Sequence, residues 1–448
     1  MDRSLDSSSW RRIWQLSWPI MLSNMTMPLV GATDVAMMGH LSDPALVGGV
    51  ALGSLLFNFF YMGFGFLRMG TTGFVAQCYG RKDMDGLQLI LARSLILAAG
   101  LGGALILLAP LLILAATGIF SADQAVEAYM DSYVGWRILA APAALANMVL
   151  LGWLYGVQAM RLAMAQLIFV NLANIALNFW LVFGLDTQIE GVALASVGAQ
   201  WLGLGLTVFL VRRHLAARFG LRFTLRLPGL FARAGWTGFL LVGRDITVRT
   251  MLLLLAEAVL VYAAASQGVA ELGAMKIILV LFSLIAFGLD GFAHAGEALA
   301  GSAIGQHDRR MLSLVVWRSC WLAAAAGLFM TLIIVTGAGW IIPLLTSQPL
   351  LQEATHQVWL WAAVLPLASF LAFQMDGIFV GAALGREMRN AMIISVLFFA
   401  GLLWIIGMDS LDGLLASFNL YLVMRGLVLL GMMGRVRALA GSGTAEPG

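Results

Sequence analysis

Asp34 stands inside an apolar run, in "PLVGATDVAMMGH", residues 28–40. A carboxylate near the centre of a membrane span costs roughly 2.5–3.5 kcal/mol on insertion scales. Pro28 and Gly31 precede it and Gly39 follows. Such residues loosen a transmembrane helix and let backbone face a cavity. A carboxylate placed there can take up and release a proton, or bind a monovalent cation. The plainer alternative is a structural Asp hydrogen-bonded to a neighbouring helix.

A second polar set lies in "NLANIALNFWLVFG", where Asn171, Asn174 and Asn178 recur at i, i+3 and i+7. That spacing puts the three amides on one helical face. They would be costly against lipid, so they face protein or a cavity, where they can hold Asp34, water or a cation. Ser196 in "GVALASVGAQ" can close this cluster. Interhelical hydrogen bonding, common for Asn in membranes, is the competing reading. Met21, Met25 and Met27 precede Asp34, and Phe57, Phe59, Phe60 and Phe64 crowd one later segment. Flexible thioethers suit surfaces that accept varied shapes, although plain packing uses the same residues. Met27, Asp34, Phe57, Asn174 and Asn178 are therefore the candidate substrate contacts. Asp34, Asn174, Asn178 and Ser196 are the candidate coupling-ion site.

The second half carries its own charges. Asp245 and Arg249 stand at i, i+4 in "GRDITVRTM" and can pair, although their place near the cytoplasmic end also suits a gate or anchor. Asp290, His294 and Glu297 share one face of "DGFAHAGEALAG", and Asp376 follows in "QMDGIFVG". Two uses fit Asp245, Arg249, Asp290, Glu297 and Asp376: a second proton or cationic-substrate site, or a static charge network.

Enzyme chemistry has no footing here. The five histidines are scattered, without HExxH spacing or paired cysteines, so no metal is expected. A phosphate loop of the GxxxxGK[ST] type is missing as well, so the expected energy source is a proton or sodium-ion gradient rather than ATP, and no cofactor is called for. One charge crossing 100 mV is worth about 2.3 kcal/mol. Cys78 and Cys320 lie in apolar segments and read as free thiols.

The elements that must position these residues are membrane helices. The 448 residues are 61% hydrophobic and 11% charged, against about 25% charged in soluble domains. A net charge of +3 is no nucleic-acid footprint, since the basic residues sit at helix ends. No cleavable signal peptide is evident, because the first apolar run is long and carries Asp34. Twelve spans are expected, at about 13–39, 45–78, 90–117, 128–157, 162–184, 189–211, 233–265, 271–304, 312–343, 352–383, 388–407 and 411–434, each with the roughly 20 apolar residues a bilayer needs. Of the 26 basic residues, 20 fall at alternate boundaries, and the intervening loops hold none. By the positive-inside rule that set is cytoplasmic, as are both termini. Six cations remain within spans: Arg68, Arg137, Arg244, Arg249, Lys276 and Arg425.

The halves echo each other at an offset of 225 residues. Gly80-Arg-Lys-Asp83 answers Gly305-Gln-His-Asp308; Gly152 and Gly156 answer Gly377 and Gly381; Arg161 answers Arg386; Pro142 answers Pro366 with a shift of one. Six spans per repeat give both halves the same orientation, the parallel-repeat pattern of transporters. The expected division is an N-terminal lobe, 1–211, a cytoplasmic linker, 212–232, and a C-terminal lobe, 233–448, in an all-α protein with a central cleft.

Taken together, "SWPIMLSNMTMPLVGATDVAMMGHL", "GFLRMGTTGFVAQCYGRKD", "NLANIALNFWLVFG", "LDGFAHAGEALAGSAIGQHD" and "FQMDGIFVGAALGREMRNAM" resemble the multidrug and toxic compound extrusion (MATE) family, in its DinF branch. The resemblance covers nearly the whole chain. It implies a multi-pass inner-membrane efflux antiporter that exchanges amphipathic or cationic compounds for protons or sodium ions. A monomer is expected, with membrane lipid and no nucleic acid among its partners. It also implies that Asp34 is the coupling carboxylate of the first helix. Asn174, Asn178 and Ser196 fall at positions where some members carry an Asn, an acid and a hydroxyl. The amide at Asn178 is a departure that leaves Asp34 as the sole carboxylate of this cluster and favours protons. A flippase for a lipid-linked or amphipathic substrate, of the same broad superfamily, is the alternative; it would need a cationic cavity.

Overall fold

A computed structural model describes residues 9–26, 28, 44–120, 123–185, 187–221, 224 and 227–441, with 119 and 120 as backbone only. Asp34 and Met27 lie outside the described residues. Among these residues the structure is helical throughout, without strands. Among the described residues, eleven helices or helix pairs are long and apolar enough to cross a membrane. α1 (Trp10–Asn24) covers the first part of the segment read as span one.

Spans two to twelve of the expected set are present, with differences at their ends and middles, and most of span one lies outside the described residues. Span two is two helices, α2 (Pro44–Gly63) and α3 (Phe66–Arg81), joined at Phe64 and Gly65. Span three begins earlier than read, with α4 (Met84–Leu107), and continues after Leu108 as α5 (Ala109–Phe120). Span four is α6 (Gln124–Arg137) and α7 (Ala141–Gly156), with a 3-10 turn at Ile138–Ala140 just before Pro142. Proline lacks the N–H that an unbroken helix would need there. Span five is α8 (Met160–Asn178), which passes into a π-helix at Phe179–Gly184. α9 (Ile189–His214) runs past the expected end and closes in a second π turn, Leu215–Phe219, before Gly220 at φ +66°.

The second half comprises α10 (Arg233–Gln267), α11 (Val269–Gly305), α12 (Arg309–Leu345), a short α13 (Pro349–Gln357), α14 (Trp359–Gly381), α15 (Gly385–Ile406), α16 (Leu411–Gly431) and α17 (Met433–Leu439). Span ten therefore starts at Trp359 rather than near 352. The polar run Gln352, Glu353, His356 and Gln357 forms its own surface helix instead.

The described residues fall into two compact units. The first is drawn from Leu22–Val75 and Lys82–Trp236. The second is drawn from Thr237–Gly448, with Ala76–Arg81 and the chain up to Met21. In the first unit, α7 is the central helix, packed against α4, α8 and α9 and buried along nearly its whole length. In the second, α14 has that place, packed against α11, α12 and α16. The apolar core of this unit draws on α10, α11, α12, α14, α15 and α16.

The repeat is visible in backbone detail. A Cβ at Gly152 would run into the backbone of Arg68, and one at Gly377 into that of Ala293, the residue 225 positions on. Lys82 and His307 have φ of 60° and 56°, and Gln158 and Ala383 have 60° and 55°. Each of these four non-glycine residues holds a left-handed conformation that most side chains avoid. Asp83 accepts a hydrogen bond from Gly86 N at 2.8 Å, and Asp308 one from Met311 N at 2.8 Å. These are matched N-caps, each satisfying a donor that the first helical turn leaves open.

Candidate functional site

The Asn face of α8 is built as its spacing requires. Asn174 and Asn178 are buried, and Asn178 is the last residue before the π-helix. π-bulges are rare and concentrate at functional sites. Asn178 Nδ2 donates to Asn174 Oδ1 at 3.2 Å, and Asn174 Nδ2 donates to Ser196 Oγ of α9 at 3.2 Å. The three residues thus form one ladder across two helices. Asn171 Nδ2 donates instead to Thr26 Oγ1 at 2.5 Å, beyond the end of α1.

A cavity of about 100 Å³ opens beside this ladder. Tyr61, Arg137, Asn171, Asn174, Ser196 and Gln200 supply its polar lining. A second set of amides backs it: Asn147 Nδ2 donates to Gln200 Oε1 at 2.9 Å, and Gln166 Nε2 to the Asn147 carbonyl at 3.0 Å. The space is therefore walled by neutral dipoles and one guanidinium. Several amides can turn an oxygen or an N–H toward a guest, which makes the cavity adaptable rather than committed to one charge.

Sequence reasoning left Arg137 among the scattered cations. The structure places it at the cavity wall, on the last turn of α6. Its guanidinium lies over Phe57 at 5.3 Å and Tyr133 at 5.2 Å from the ring centroids. Nη1 donates to Ser54 Oγ at 3.3 Å and to the Tyr133 hydroxyl. The signal in sequence was a cation inside a span with an aromatic residue one turn before it. Phe57, a candidate substrate contact, is buried under that guanidinium and against Tyr61.

The charges of the second unit are brought together differently from the expected pattern. Asp245 does not pair with Arg249. Asp245 accepts from Arg389 Nη1 of α15 at 2.7 Å and from its neighbour Arg244 at 3.1 Å. Arg249 pairs with Asp376 of α14, which Arg425 of α16 also engages. All three residues are under 10% exposed. The i, i+4 geometry lost to a partner on another helix that can be fully enclosed. Asp290 and Glu257 also act electrostatically on Arg425. His294 Nδ1 and Glu297 Oε2 stand 2.9 Å apart on α11, one to two turns along from Asp290. Arg435 of α17 reaches Glu387 at 2.5 Å. Among the described residues no group of three His, Cys, Asp or Glu side chains is arranged to hold a metal.

Comparison with known proteins identifies the family. The MatE family model matches the chain twice, over residues 19–180 and 246–405, once in each half of the repeat. The chain is 35% identical over 434 residues to the DNA damage-inducible protein F of Escherichia coli (strain K12), covering 96% of this chain and 93% of that one. It is 26% identical to a probable multidrug resistance protein NorM of Photorhabdus laumondii over 49% of this chain and 47% of that one. Among solved structures, the outward-facing conformation of a multidrug resistance MATE family transporter superposes with a TM-score of 0.86 at 19% identity, over 97% of both chains. At that identity the likeness speaks for the fold alone. Two matches of one family model and a relative aligned nearly from end to end show that this multi-pass membrane protein belongs to the MATE family of transporters.

Proposed function

We propose that this protein is a secondary active efflux antiporter that exports organic cations or lipophilic toxic compounds in exchange for protons, with Asp34 as the coupling carboxylate. The observation that carries this reading is the ladder Asn178–Asn174–Ser196 beside a polar cavity. Its ladder residues are neutral amides and a hydroxyl. Such groups can hold a substrate or water, but none of them exchanges a proton near neutral pH. The titrating group must come from elsewhere, and Asp34 is the carboxylate that the sequence sets in the middle of an apolar run flanked by Pro28, Gly31 and Gly39.

Protonation of Asp34 from the outside removes a negative partner for a cationic substrate and makes the group cheaper to bury. Proton and substrate then compete, and competition of that kind gives antiport. Alternating access would follow from rocking of two lobes, 1–211 and 233–448, joined by the linker 212–232, with both termini cytoplasmic. The chain would act as a monomer. The amide at position 178 supports protons over sodium ions, because a sodium site gains from several carboxylate oxygens.

Arg137 at the cavity wall favours a second reading, a flippase for an amphipathic substrate with an anionic headgroup. One experiment separates the two. The protein is reconstituted in liposomes with an imposed pH gradient or, separately, a sodium gradient, and ethidium transport is followed in wild type and Asp34→Asn. Transport driven by the pH gradient alone and abolished in Asp34→Asn is the expected result. Transport driven only by sodium moves the coupling site to other groups. Full activity in Asp34→Asn sinks the antiport reading and brings the flippase forward.

A further inference from the structure

Residues 191–244 contain seven arginines and not one Asp, Glu or Lys. Three other clustered basic boundaries are unlike this. Arg81 and Lys82 have Asp83 and Asp85 beside them, Arg309 and Arg310 follow Asp308, and Arg386 and Arg389 flank Glu387. Those clusters are locally balanced, whereas the connection between the halves carries a one-signed field.

The described parts of this connection are held in place. α9 ends in the π turn Leu215–Phe219, with Leu215 fully buried as its anchor. At the far end, Leu227–Ala232 forms a tight turn through Gly229 at φ +77°. Arg93 of α4 clasps that turn, donating from Nη2 to the Gly229 carbonyl at 2.6 Å and from Nε to the Leu230 carbonyl at 3.0 Å. Trp236 Nε1 donates to the Leu230 carbonyl at 2.9 Å. Leu230 is buried by this clasp, and Phe231 beside it is 77% exposed. Arg212, Arg213, Arg218 and Arg233 are all exposed.

We infer that this connection is a docking surface for the anionic phospholipid headgroups of the leaflet into which α9 and α10 run. The charge is complementary, and its position at the ends of two spans puts it at headgroup level. A planar guanidinium fork fits phosphate oxygens in two-point contact, which suits Arg better than Lys. Basic residues next to a membrane are each drawn to an anionic surface, and an exposed aromatic ring beside them can enter the interface. The fixed turns at either end lower the ordering cost of binding there, since those ends are already shaped. This inference needs only that the spans cross a bilayer. It stands or falls separately from the antiport reading.

The test uses the full-length protein purified in dodecyl maltoside. It is titrated with short-chain phosphatidylglycerol, short-chain phosphatidylcholine and inorganic phosphate, and binding is followed by microscale thermophoresis. Saturable binding of the glycerol lipid is expected, weakening with added salt because exposed charges are screened. Replacing three surface arginines (R212Q, R213Q and R218Q together) should lower that affinity at least about tenfold. R309Q with R310Q should leave it unchanged. Equal affinity for the choline lipid, an unaltered triple variant, or free phosphate binding as tightly as the lipid would each overturn the inference. If the triple variant does not fold, the salt titration of the wild type decides, and salt-insensitive binding overturns it.

Discussion

The polar interiors of the two units differ in kind. In the first, α8 and α9 meet through amides and a hydroxyl beside a cavity of about 100 Å³. In the second, buried charges are closed into an ion-pair cluster on Asp376. The repeat makes the difference informative. Asn174 and Asn178 stand 225 positions before Phe399 and Leu403, which are core residues of the second unit. Asp376 stands 225 positions after Leu151, which is buried in the first. The backbone devices match: Gly152 with Gly377, the Asp83 cap with the Asp308 cap, and the left-handed residues with one another. One scaffold thus carries two chemistries. Duplication preserved what the helices need to approach and turn, and left the side chains inside free to diverge.

The largest effect should come from making the second unit resemble the first at the ion cluster. Asp376→Leu installs the residue found at the equivalent place, and leaves Arg249 and Arg425 buried without their shared carboxylate. Breaking one partner out of a buried pair costs about 3–5 kcal/mol. Chemical unfolding in detergent should show a loss of that order. A loss under about 1 kcal/mol would mean that Asp290 and Glu257 already neutralise both guanidiniums, and the cluster would then be a looser network than its geometry suggests.

The next comparison tests the shared scaffold. Gly152→Val and Gly377→Val each push a side chain into the backbone of a neighbouring helix. Overpacking of this sort costs about 1–3 kcal/mol. The two losses should agree within error, because the two contacts are related by the repeat. Stability measured for both variants side by side checks this. A large loss in one and none in the other would show that the symmetry ends at the chain trace.

How much of this was legible in the sequence depended on how local the signal was. Hydropathy gave the spans because apolar length is a property of each segment alone. The Asn174–Ser196 contact was also readable, since three amides on one face had to point inward and one nearby hydroxyl was on offer. The partners of the ion pairs were not readable. Asp245 and Arg249 satisfy the helical spacing for a pair, yet each is taken by a residue more than a hundred positions away. Spacing along one helix says which pairs can form; it carries nothing about what a neighbouring helix brings. Arg137 was passed over for the same reason, because its role is set by Phe57 and Ser54 on α2. The helix break at Leu108 was hidden by continuous hydropathy, whereas the one at Val358 follows a polar run that span ten should have excluded.

The smallest stability effect should come from the site to which function is assigned. Asn174→Ala removes the middle rung of the ladder, cutting the bonds to Ser196 and Asn178. A neutral hydrogen bond contributes about 0.5–1.5 kcal/mol net, and the neighbouring cavity lets water take over the freed groups. Unfolding should therefore shift by about 1 kcal/mol, well below the loss for Asp376→Leu. Ethidium transport in the same variant should fall much further than that shift explains. The two measurements belong together because they test whether the units differ in role: a charge-locked half whose polar groups hold structure, against a half whose polar groups, on the proposed function, meet cargo. If Asn174→Ala transports normally, the ladder is only an interhelical clamp, and the difference between the units lies in packing rather than in task.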